Sequence, residues 1–339
     1  MFPEWTAIVG FLIGAAIGSF LNVVIYRLPL GLSINEPKHS FCPNCKNQLG
    51  VQDLVPLFSW LFRRGKCRQC GVAVPARYFW VEVVTGGLWG LIWYQQLCLA
   101  WDVPRAVCYL LMVSVLVAAT FIDLRWFIIP DELNAILLLI GLGFNVALLA
   151  LGRTEAWTWG IPSAVAGAVV GTLVLWGITF LGRLIFQKDA MGHGDIKLAR
   201  GIGACLFPLG AMVSFGLAII LGALLGIVQA IVAARMRQSE GANTDDFEEE
   251  PESIGSILRS GIGYLFAIDA IGLVFPKLYM AWFNEDPRTQ ETVEEDDWQP
   301  GFTTIPFGPY LAAGAIVAAT ANGPIKSILD AYIKYLQGD

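Results

Sequence analysis

Two aspartates in this sequence lie at the ends of long apolar segments, where a carboxylate is costly and marks a candidate functional site. Asp195 closes the glycine-rich turn Gly192-His193-Gly194-Asp195, and Asp123 ends another apolar run. The two glycines permit backbone conformations that other residues resist, and they allow another chain to approach the carboxylate closely. We therefore predict Asp123 and Asp195 as a catalytic pair at the surface of a membrane, although an ordinary loop with an N-cap aspartate also fits Asp195 alone.

Two neighbouring carboxyl groups can hydrolyse a peptide bond without a covalent intermediate. Groups held close together do not both ionise easily, so they share one proton. The ionised group acts as general base on a water molecule, while the protonated group polarises the scissile carbonyl and then protonates the leaving amine. Their titration belongs to the pair and not to either residue. This chemistry needs none of the seven cysteines as a nucleophile.

Asp131 is a rival for the role of Asp123. It follows Pro130 and precedes a predicted helix, where an aspartate is a good N-cap for the free backbone N–H groups. That structural role is sufficient for Asp131, whereas Asp123 has no such explanation. The predicted supporting residues around the catalytic pair are Gly192, Gly194, Asp131 and Lys197.

Four cysteines form two C-x-x-C pairs, Cys42 with Cys45 and Cys67 with Cys70, with 21 residues between them. Their thiolates can close a tetrahedral site, and the spacing is close to that of zinc ribbons. The loop that carries them is short and has little apolar material for a core, so a structural Zn²⁺ would supply the missing folding energy. A redox pair or four free thiols are the alternatives.

The composition indicates a polytopic membrane protein. Of the 339 residues, 56% are hydrophobic and 15% are charged, whereas soluble domains average about 25% charged residues. The net charge of −6 comes largely from two acidic stretches, 245–252 and 291–297, which are typical of solvated loops. A cationic surface for nucleic acid is not apparent.

Apolar segments of about 20 residues predict membrane spans. They are 5–26, 79–100, 104–122, 132–151, 160–186, 209–234 and 306–324, with a half-span at 196–207 before the turn Phe207-Pro208. In the first span Gly10, Gly14 and Gly18 recur every four residues, which predicts close helix packing. The segment 260–283 is ambiguous: it spans, re-enters or lies in the interface.

The distribution of basic residues predicts the orientation. The loop 27–77 holds eight lysines and arginines, so the positive-inside rule places it in the cytoplasm and the N-terminus outside. Counting spans then places both Asp123 and Asp195 on the cytoplasmic side.

The predicted fold is an all-α, polytopic transmembrane helical bundle of about eight spans with a small cytoplasmic zinc-ribbon-like loop domain. Its predicted parts are a first transmembrane helix (1–29), the cytoplasmic tetracysteine domain (30–78), a transmembrane aspartyl peptidase core (79–235), an acidic insertion with an apolar segment (236–304), and a last transmembrane helix with a C-terminal tail (305–339).

The ordered motifs of the chain resemble those of the type IV prepilin peptidases, membrane aspartyl proteases of the G-x-G-D kind. The matching segments are 18–29 (Gly-Ser-Phe-Leu-Asn through Arg-Leu-Pro), the two cysteine pairs, 77–82 (Arg-Tyr-Phe-Trp-Val-Glu), 122–131, 192–197 and 305–309. The resemblance covers residues 5 to about 240 and again from 305, and the ordered combination is highly specific.

The resemblance implies a bacterial inner-membrane endopeptidase whose catalytic pair is Asp123 and Asp195. The implied partners are the lipid bilayer and a type IV prepilin or type II secretion pseudopilin, cut after a glycine on the cytoplasmic side. It further implies N-methylation of the new N-terminal residue with S-adenosylmethionine, although no G-x-G-x-x-G fingerprint is present and its residues are unassigned. The sequence does not indicate which pilin system the protein serves or what its oligomeric state is.

Two features depart from the family pattern. His193 takes a position often filled by a small residue, and we interpret it as a surface histidine. About 65 residues, 237–304, intervene before the last motif, which is longer than usual for the family.

Three other functions fit parts of the sequence. A proton-coupled transporter would use Asp123, Asp195 and Asp269 as relay carboxylates near mid-membrane. A non-catalytic pilus or secretion assembly protein would use the zinc loop for docking. A presenilin-like intramembrane protease would place its aspartates within the membrane and would not need the tetracysteine loop.

Overall fold

Helices account for nearly all regular structure in the computed structural model, which describes residues 1–37, 39–42, 44–186, 191–237, 253–284 and 306–321. The α-helices are α1 (Ala7–Arg27), α2 (Phe58–Phe62), α3 (Arg77–Trp93), α4 (Val103–Trp126), α5 (Asp131–Ala150), α6 (Ser163–Phe186), α7 (His193–Arg237), α8 (Ile254–Leu265), α9 (Ile268–Gly272), α10 (Pro276–Phe283) and α11 (Gly308–Thr320). Short 3₁₀-helices lie at Glu4–Thr6, Val51–Asp53 and Thr154–Ala156, and a π-helix lies at Tyr94–Leu99. Two-residue strands, β1 (Trp157–Thr158) and β2 (Ile161–Pro162), pair antiparallel in the loop between α5 and α6. The predicted all-α class is confirmed.

Five helices of the described residues are long and apolar enough to cross a membrane, namely α1 with its preceding turn, α4, α5, α6 and α7. Large apolar side chains on their outer faces are exposed, as lipid-facing residues are: Leu139, Val146 and Ile185 are each more than 60% accessible. Two other predicted spans are shorter as α-helices. The segment 79–100 is α3, of 17 residues, continued by the π-helix, and the last predicted span is the 13-residue α11.

Helix α4 lies at the centre of the bundle. In the most apolar 18-residue stretch of α4, 72% of the residues are buried. The corresponding share in the other four spanning helices lies between 39% and 44%. Its neighbours are α1, α3, α5, α7 and α11. Most of α4 is therefore surrounded by protein, and Asp123 lies on its buried side, whereas Leu124 beside it is 54% exposed.

Helix α7 is interrupted at the predicted turn. Phe207 has φ 61° and ψ 175°, which is not helical, and Pro208 follows it. The first leg, 193–206, is about 21 Å long at 1.5 Å per residue, which is shorter than the roughly 30 Å hydrocarbon core. The predicted turn at Phe207-Pro208 is thus confirmed, and the half-span before it stays a prediction.

The glycine stripe of α1 packs closely against another helix, as predicted, and that helix is α3. A Cβ built at Gly14 would lie 2.4 Å from Trp89 Cβ, and one built at Gly18 would lie 2.8 Å from Glu82 Cα. These distances are too short for any side chain, so glycine is required for the two backbones to approach this closely.

The ambiguous segment 260–283 is not one continuous helix. It falls within α8, α9 and α10, which have 12, 5 and 8 residues, and none of them reaches the length of a span. Trp176 of α6 donates a hydrogen bond from Nε1 to the Ile257 carbonyl at 3.0 Å, which fastens α8 to the bundle. Both acidic stretches, 245–252 and 291–297, lie outside the described residues.

Candidate active site and metal centre

Asp123 lies in the last turn of α4, where only 5% of its surface is accessible. The helix ends after Trp126 because Phe127 adopts a left-handed conformation, with φ 55° and ψ 30°. The Phe127 N–H bonds to the Asp123 carbonyl at 2.9 Å and closes this turn. The carboxyl group is consequently held at the end of the most buried helix of the bundle.

Asp195 lies in the first turn of α7, which begins at His193. The order of the elements brings it to the same side as Asp123: α5 and α6 cross and return between them. The two carboxyl groups are close enough to interact electrostatically. The structure thus brings together the two aspartates that the sequence singles out.

Two glycines border the aspartate pair. A Cβ added at Gly308 would lie 2.5 Å from Asp123 Oδ2 and 2.9 Å from Ile129 Cδ1, and one added at Gly194 would lie 3.2 Å from Ile129 Cβ. Ile129 is therefore wedged between the two glycines, beside Asp123. The Gly308 backbone approaches the carboxylate only because it has no side chain, which gives the Pro-Phe-Gly-Pro segment at 306–309 a physical role.

Each aspartate keeps one oxygen that is buried without a hydrogen-bond partner. They are Asp123 Oδ2 and Asp195 Oδ1, and no partner for either exists among the residues that the structure describes. Buried polar atoms normally find a partner, so these oxygens are suited to a water molecule or a substrate group. The arrangement is that of two carboxyl groups prepared to act on a third molecule.

The N-cap interpretation of Asp131 is wrong. Asp131 is the first residue of α5, the cap position is Pro130, and no side-chain cap hydrogen bond forms. Lys197 instead donates from Nζ to Asp131 Oδ1 and Oδ2 at 2.7 and 2.8 Å, and both side chains are buried. A buried cation requires a partner charge. The Asp131 carboxylate therefore pairs with Lys197 and does not cap the helix. The pair ties α5 to α7 two residues beyond Asp195.

A second buried ion pair was not predicted. Arg200, also on α7, binds both oxygens of Asp269 at 2.6 Å and donates to the Tyr264 carbonyl at 2.8 Å. The Tyr264 ring also lies 5.8 Å from the ring of His193 and 5.3 Å from Lys197 Nζ. His193 is therefore half-buried against the insertion and is not a surface histidine. The sequence signal for this ion pair was the presence of Arg200 and Asp269 within apolar segments.

The four predicted metal ligands form one cluster. The sulfur atoms of Cys42, Cys45, Cys67 and Cys70 all lie within 4.8 Å of one another, and Cys42 Sγ is 3.9 Å from Cys70 Sγ. Tetrahedral Zn²⁺ with bonds of about 2.3 Å separates its sulfur ligands by about 3.8 Å. The donor set and its spacing fit a structural zinc ion.

The two cysteine pairs are built as matching knuckles. In the first, Cys42 N–H bonds to the Asn47 carbonyl at 3.0 Å; in the second, Cys67 N–H bonds to the Val72 carbonyl at 2.9 Å. The fourth residue after each leading cysteine, Lys46 and Gly71, has positive φ, 58° and 71°. Each turn therefore curls back so that both of its sulfur atoms point to one centre.

The environment of the cluster favours thiolate formation at its exposed edge. The Val72 N–H and the Asn44 side chain donate to Cys70 and lower the pKa of its thiol to about 6. At Cys42 the Cys45 N–H lowers the pKa, but burial and the neighbouring thiols outweigh it and raise the value to about 11. Metal binding requires thiolates, and a cation at the centre would supply the charge that holds all four.

Comparison with known proteins identifies two family domains in the chain. Residues 12–96 match the bacterial peptidase A24 N-terminal domain, and residues 110–227 match the type IV leader peptidase family. The first match ends just after α3 and the second begins within α4, so the cysteine cluster belongs to one domain and both aspartates belong to the other.

Curated relatives extend over most of the chain. The Prepilin leader peptidase/N-methyltransferase of Myxococcus xanthus (strain DK1622) is 32% identical over 336 residues, which is 97% of this chain and 94% of the relative. Proteins with the same name from Aeromonas hydrophila and Klebsiella pneumoniae are 36% and 38% identical, over 64% and 58% of this chain and 79% and 83% of their own lengths. No solved structure matches the chain. The chain belongs to the type IV leader peptidase family.

Proposed function

We propose that this membrane protein is an aspartyl endopeptidase that removes the basic leader of type IV prepilins or type II secretion pseudopilins. The observation that carries the proposal is the juxtaposition of Asp123, which is buried, and Asp195, which is half-buried, at the ends of two helices on one side of the bundle. Neither carboxylate has a salt-bridge partner among the described residues, whereas Asp131 and Asp269 are each occupied by a buried cation. The two free carboxyl groups are the pair suited to catalysis.

The reaction follows from the geometry of the pair. One carboxylate takes a proton from water, which attacks the scissile carbonyl, while the other carboxylic acid donates a hydrogen bond to the carbonyl oxygen. The tetrahedral intermediate collapses when the leaving amine takes a proton, and the pair returns to its starting charge.

Substrate class and second activity come from the relatives. The three relatives described above are named both leader peptidase and N-methyltransferase, and the chain carries both family domains. We infer that the protein also methylates the newly exposed amine, with S-adenosylmethionine as methyl donor. The tetracysteine site holds one structural Zn²⁺, which organises the loop between α1 and α3.

The proposed location is the bacterial inner membrane. Basic residues concentrate in the loop between α1 and α3, which the positive-inside rule assigns to the cytoplasm. Both aspartates then face the cytoplasm, where the leader of a prepilin is accessible, and the N-terminus lies outside.

The test uses full-length protein in detergent with a purified prepilin. Mass spectrometry of the product reads the cleavage position and any added methyl group in one experiment. We expect wild type to release the leader after glycine, and Asp123→Asn and Asp195→Asn to lose cleavage by about a hundredfold or more. Asp53→Asn, an aspartate of the cytoplasmic loop paired with Arg63, is the matched control and keeps cleavage. Full cleavage by either catalytic variant would reject the proposal.

A further inference from the structure

A cavity of about 240 Å³ lies apart from the aspartates, between the tetracysteine loop and the cytoplasm-facing ends of α1 and α3. Its walls come from three sources: α1, the loop that the cysteines organise, and the first turns of α3. Principal side chains along it are Asn22, Tyr26, Trp60, Tyr78, Phe79 and Glu82. Neither Asp123 nor Asp195 contributes to it, so the peptidase chemistry does not explain this cavity.

Glu82 is a charged residue of the cavity wall, and the peptidase chemistry does not explain its role. It is 7% exposed, its Oε2 accepts a hydrogen bond from the Leu57 N–H at 2.7 Å, and the Ser19 hydroxyl also donates to the carboxylate. No cation forms an ion pair with Glu82 within the described part of the chain. A buried carboxylate normally has a partner charge or several hydrogen-bond donors. This one faces a cavity and still has capacity for donors or positive charge from a ligand.

Aromatic rings and arginine complete the chemistry of the cavity. Trp60 and Phe79 lie with ring centroids 5.1 Å apart, and Trp60 is oriented by its Nε1 bond to the Val74 carbonyl. Flat aromatic faces stack on a purine and attract a cation. Arg63 lines the same cavity. It pairs with Asp53 of the cavity wall at 3.3 Å, and the remaining donors of its guanidinium are suited to a ligand carboxylate. The set therefore matches a purine nucleoside that carries positive charge together with an amino-acid group.

The geometry points to this cavity as the binding site for S-adenosylmethionine, an inference that rests on the N-methyltransferase half of the proposed function. Glu82 accepts from the ribose hydroxyls or attracts the cationic part, the aromatic rings hold the adenine, and Arg63 faces the carboxylate. When bound, this donor supplies a methyl group whose C–S bond breaks with its electron pair going to sulfur, while a C–N bond forms to the neutral N-terminal amine and the resulting ammonium releases one proton to water.

The cavity and the aspartates open on the same face of the bundle at a similar depth. Trp89 Nε1 donates to Ser114 Oγ at 3.0 Å, which fixes the level at which antiparallel α3 and α4 meet. From that level Glu82 is seven residues along α3 and Asp123 is nine residues along α4, toward the same face. At 1.5 Å per residue the two rises are about 10 and 14 Å. Asp123 and Glu82 therefore lie at similar depths below this face.

The experiment measures binding of methyl-labelled S-adenosylmethionine to full-length protein in detergent, without prepilin. Val23 of α1 lines the cavity, so Val23→Trp fills it; Val9→Trp, at a position of α1 that is 39% exposed, is the matched control. We expect saturable binding to wild type and Val9→Trp, none to Val23→Trp, and about tenfold weaker binding to Glu82→Gln. Binding to Val23→Trp and Glu82→Gln at wild-type strength, or none to wild type, would overturn the inference.

Two further readouts separate the possible failures. Zinc content reports whether Val23→Trp keeps its loop folded, and ultraviolet crosslinking of the label to wild type gives an assignment that needs no variant. The crosslinked peptides should lie within 19–27, 40–54 and 59–82, and an adduct on α4 or α7 would overturn the site. Prepilin cleavage is scored separately: cleavage without donor binding defeats only this inference, and donor binding without cleavage defeats only the peptidase proposal.

Discussion

Arg200 and Asp269 form a buried bidentate ion pair, with both N–O distances at 2.6 Å and both side chains 2% exposed. The pair joins α7, which carries Asp195 five residues earlier, to the short helices of the insertion. Arg200 also binds the Tyr264 carbonyl, so the same guanidinium holds two helices of the insertion. The segment 253–284 is therefore tied to α7, the helix that carries Asp195.

Removing one partner of this ion pair should lower the free energy of unfolding far more than removing both partners. Arg200→Met leaves a buried aspartate unpaired, which costs about 3–5 kcal/mol, whereas Arg200→Met with Asp269→Leu replaces the pair by apolar groups and is nearly neutral. The measurement is thermal unfolding of the detergent-solubilised variants. Arg153→Met, which removes a half-exposed arginine, should shift the midpoint little. Additive losses in the double variant would show that the pair does not act as a unit.

Asp131→Asn should lower stability and leave the chemical step in place. The carboxylate is bound on both oxygens by Lys197, so its removal strands a buried ammonium without touching the aspartate pair. We expect a lower unfolding midpoint together with measurable prepilin cleavage, and Lys197→Met combined with Asp131→Leu should recover the midpoint. A folded Asp131→Asn protein with no cleavage would transfer the catalytic role from Asp123 to Asp131.

Gly308→Ala should damage the active site through a single methyl group. The added Cβ would lie 2.5 Å from Asp123 Oδ2 and 2.9 Å from Ile129, so the carboxylate or α11 must move. The cleavage rate should fall at least tenfold, because a displacement of about 1 Å at reacting groups costs up to a hundredfold. Gly216→Ala, at a position with no atom within 4 Å of the new Cβ, is the control and should cleave normally. Equal rates for the two variants would mean that the approach of Gly308 is unimportant.

Local signals in the sequence were sufficient for much of this architecture. Apolar run lengths located the spanning helices, the glycine stripe of α1 predicted close packing with another helix, and the spacing of Cys42, Cys45, Cys67 and Cys70 predicted the cluster. Each of these features depends on periodicity or on residues close together in the chain. The turn at Phe207-Pro208 was also visible, because proline cannot continue the preceding hydrogen-bond pattern.

Pairings between distant residues were not visible. Asp269 meets Arg200 across 69 positions and Asp131 meets Lys197 across 66, and no local pattern specifies which buried charge finds which partner. The N-cap interpretation of Asp131 failed for this reason, since a cap is a local rule and the ion pair is a tertiary one. The three short helices of 254–283 likewise follow from contacts with α6 and α7.

Zinc should be present in one equivalent per chain and should depend on the four predicted ligands. Cys42→Ser removes one thiolate from the cluster, so zinc measured by elemental analysis should fall well below one equivalent and the loop should become sensitive to proteolysis. Cys205→Ser is the matched control, because Cys205 is buried far along α7 and donates to the Leu137 carbonyl, a bond that serine can also make. Equal zinc in wild type and Cys42→Ser would exclude the tetracysteine site as the metal centre.

The central claim is that Asp123 and Asp195 act as one catalytic unit. The most direct measurement is the single-turnover rate of prepilin cleavage for Asp123→Asn, Asp195→Asn and the double variant, each checked for an unchanged unfolding midpoint. Residues that act as a unit are non-additive, so the double variant should be no slower than either single variant. Losses that multiply in the double variant, or a single variant that keeps the wild-type rate, would contradict the account.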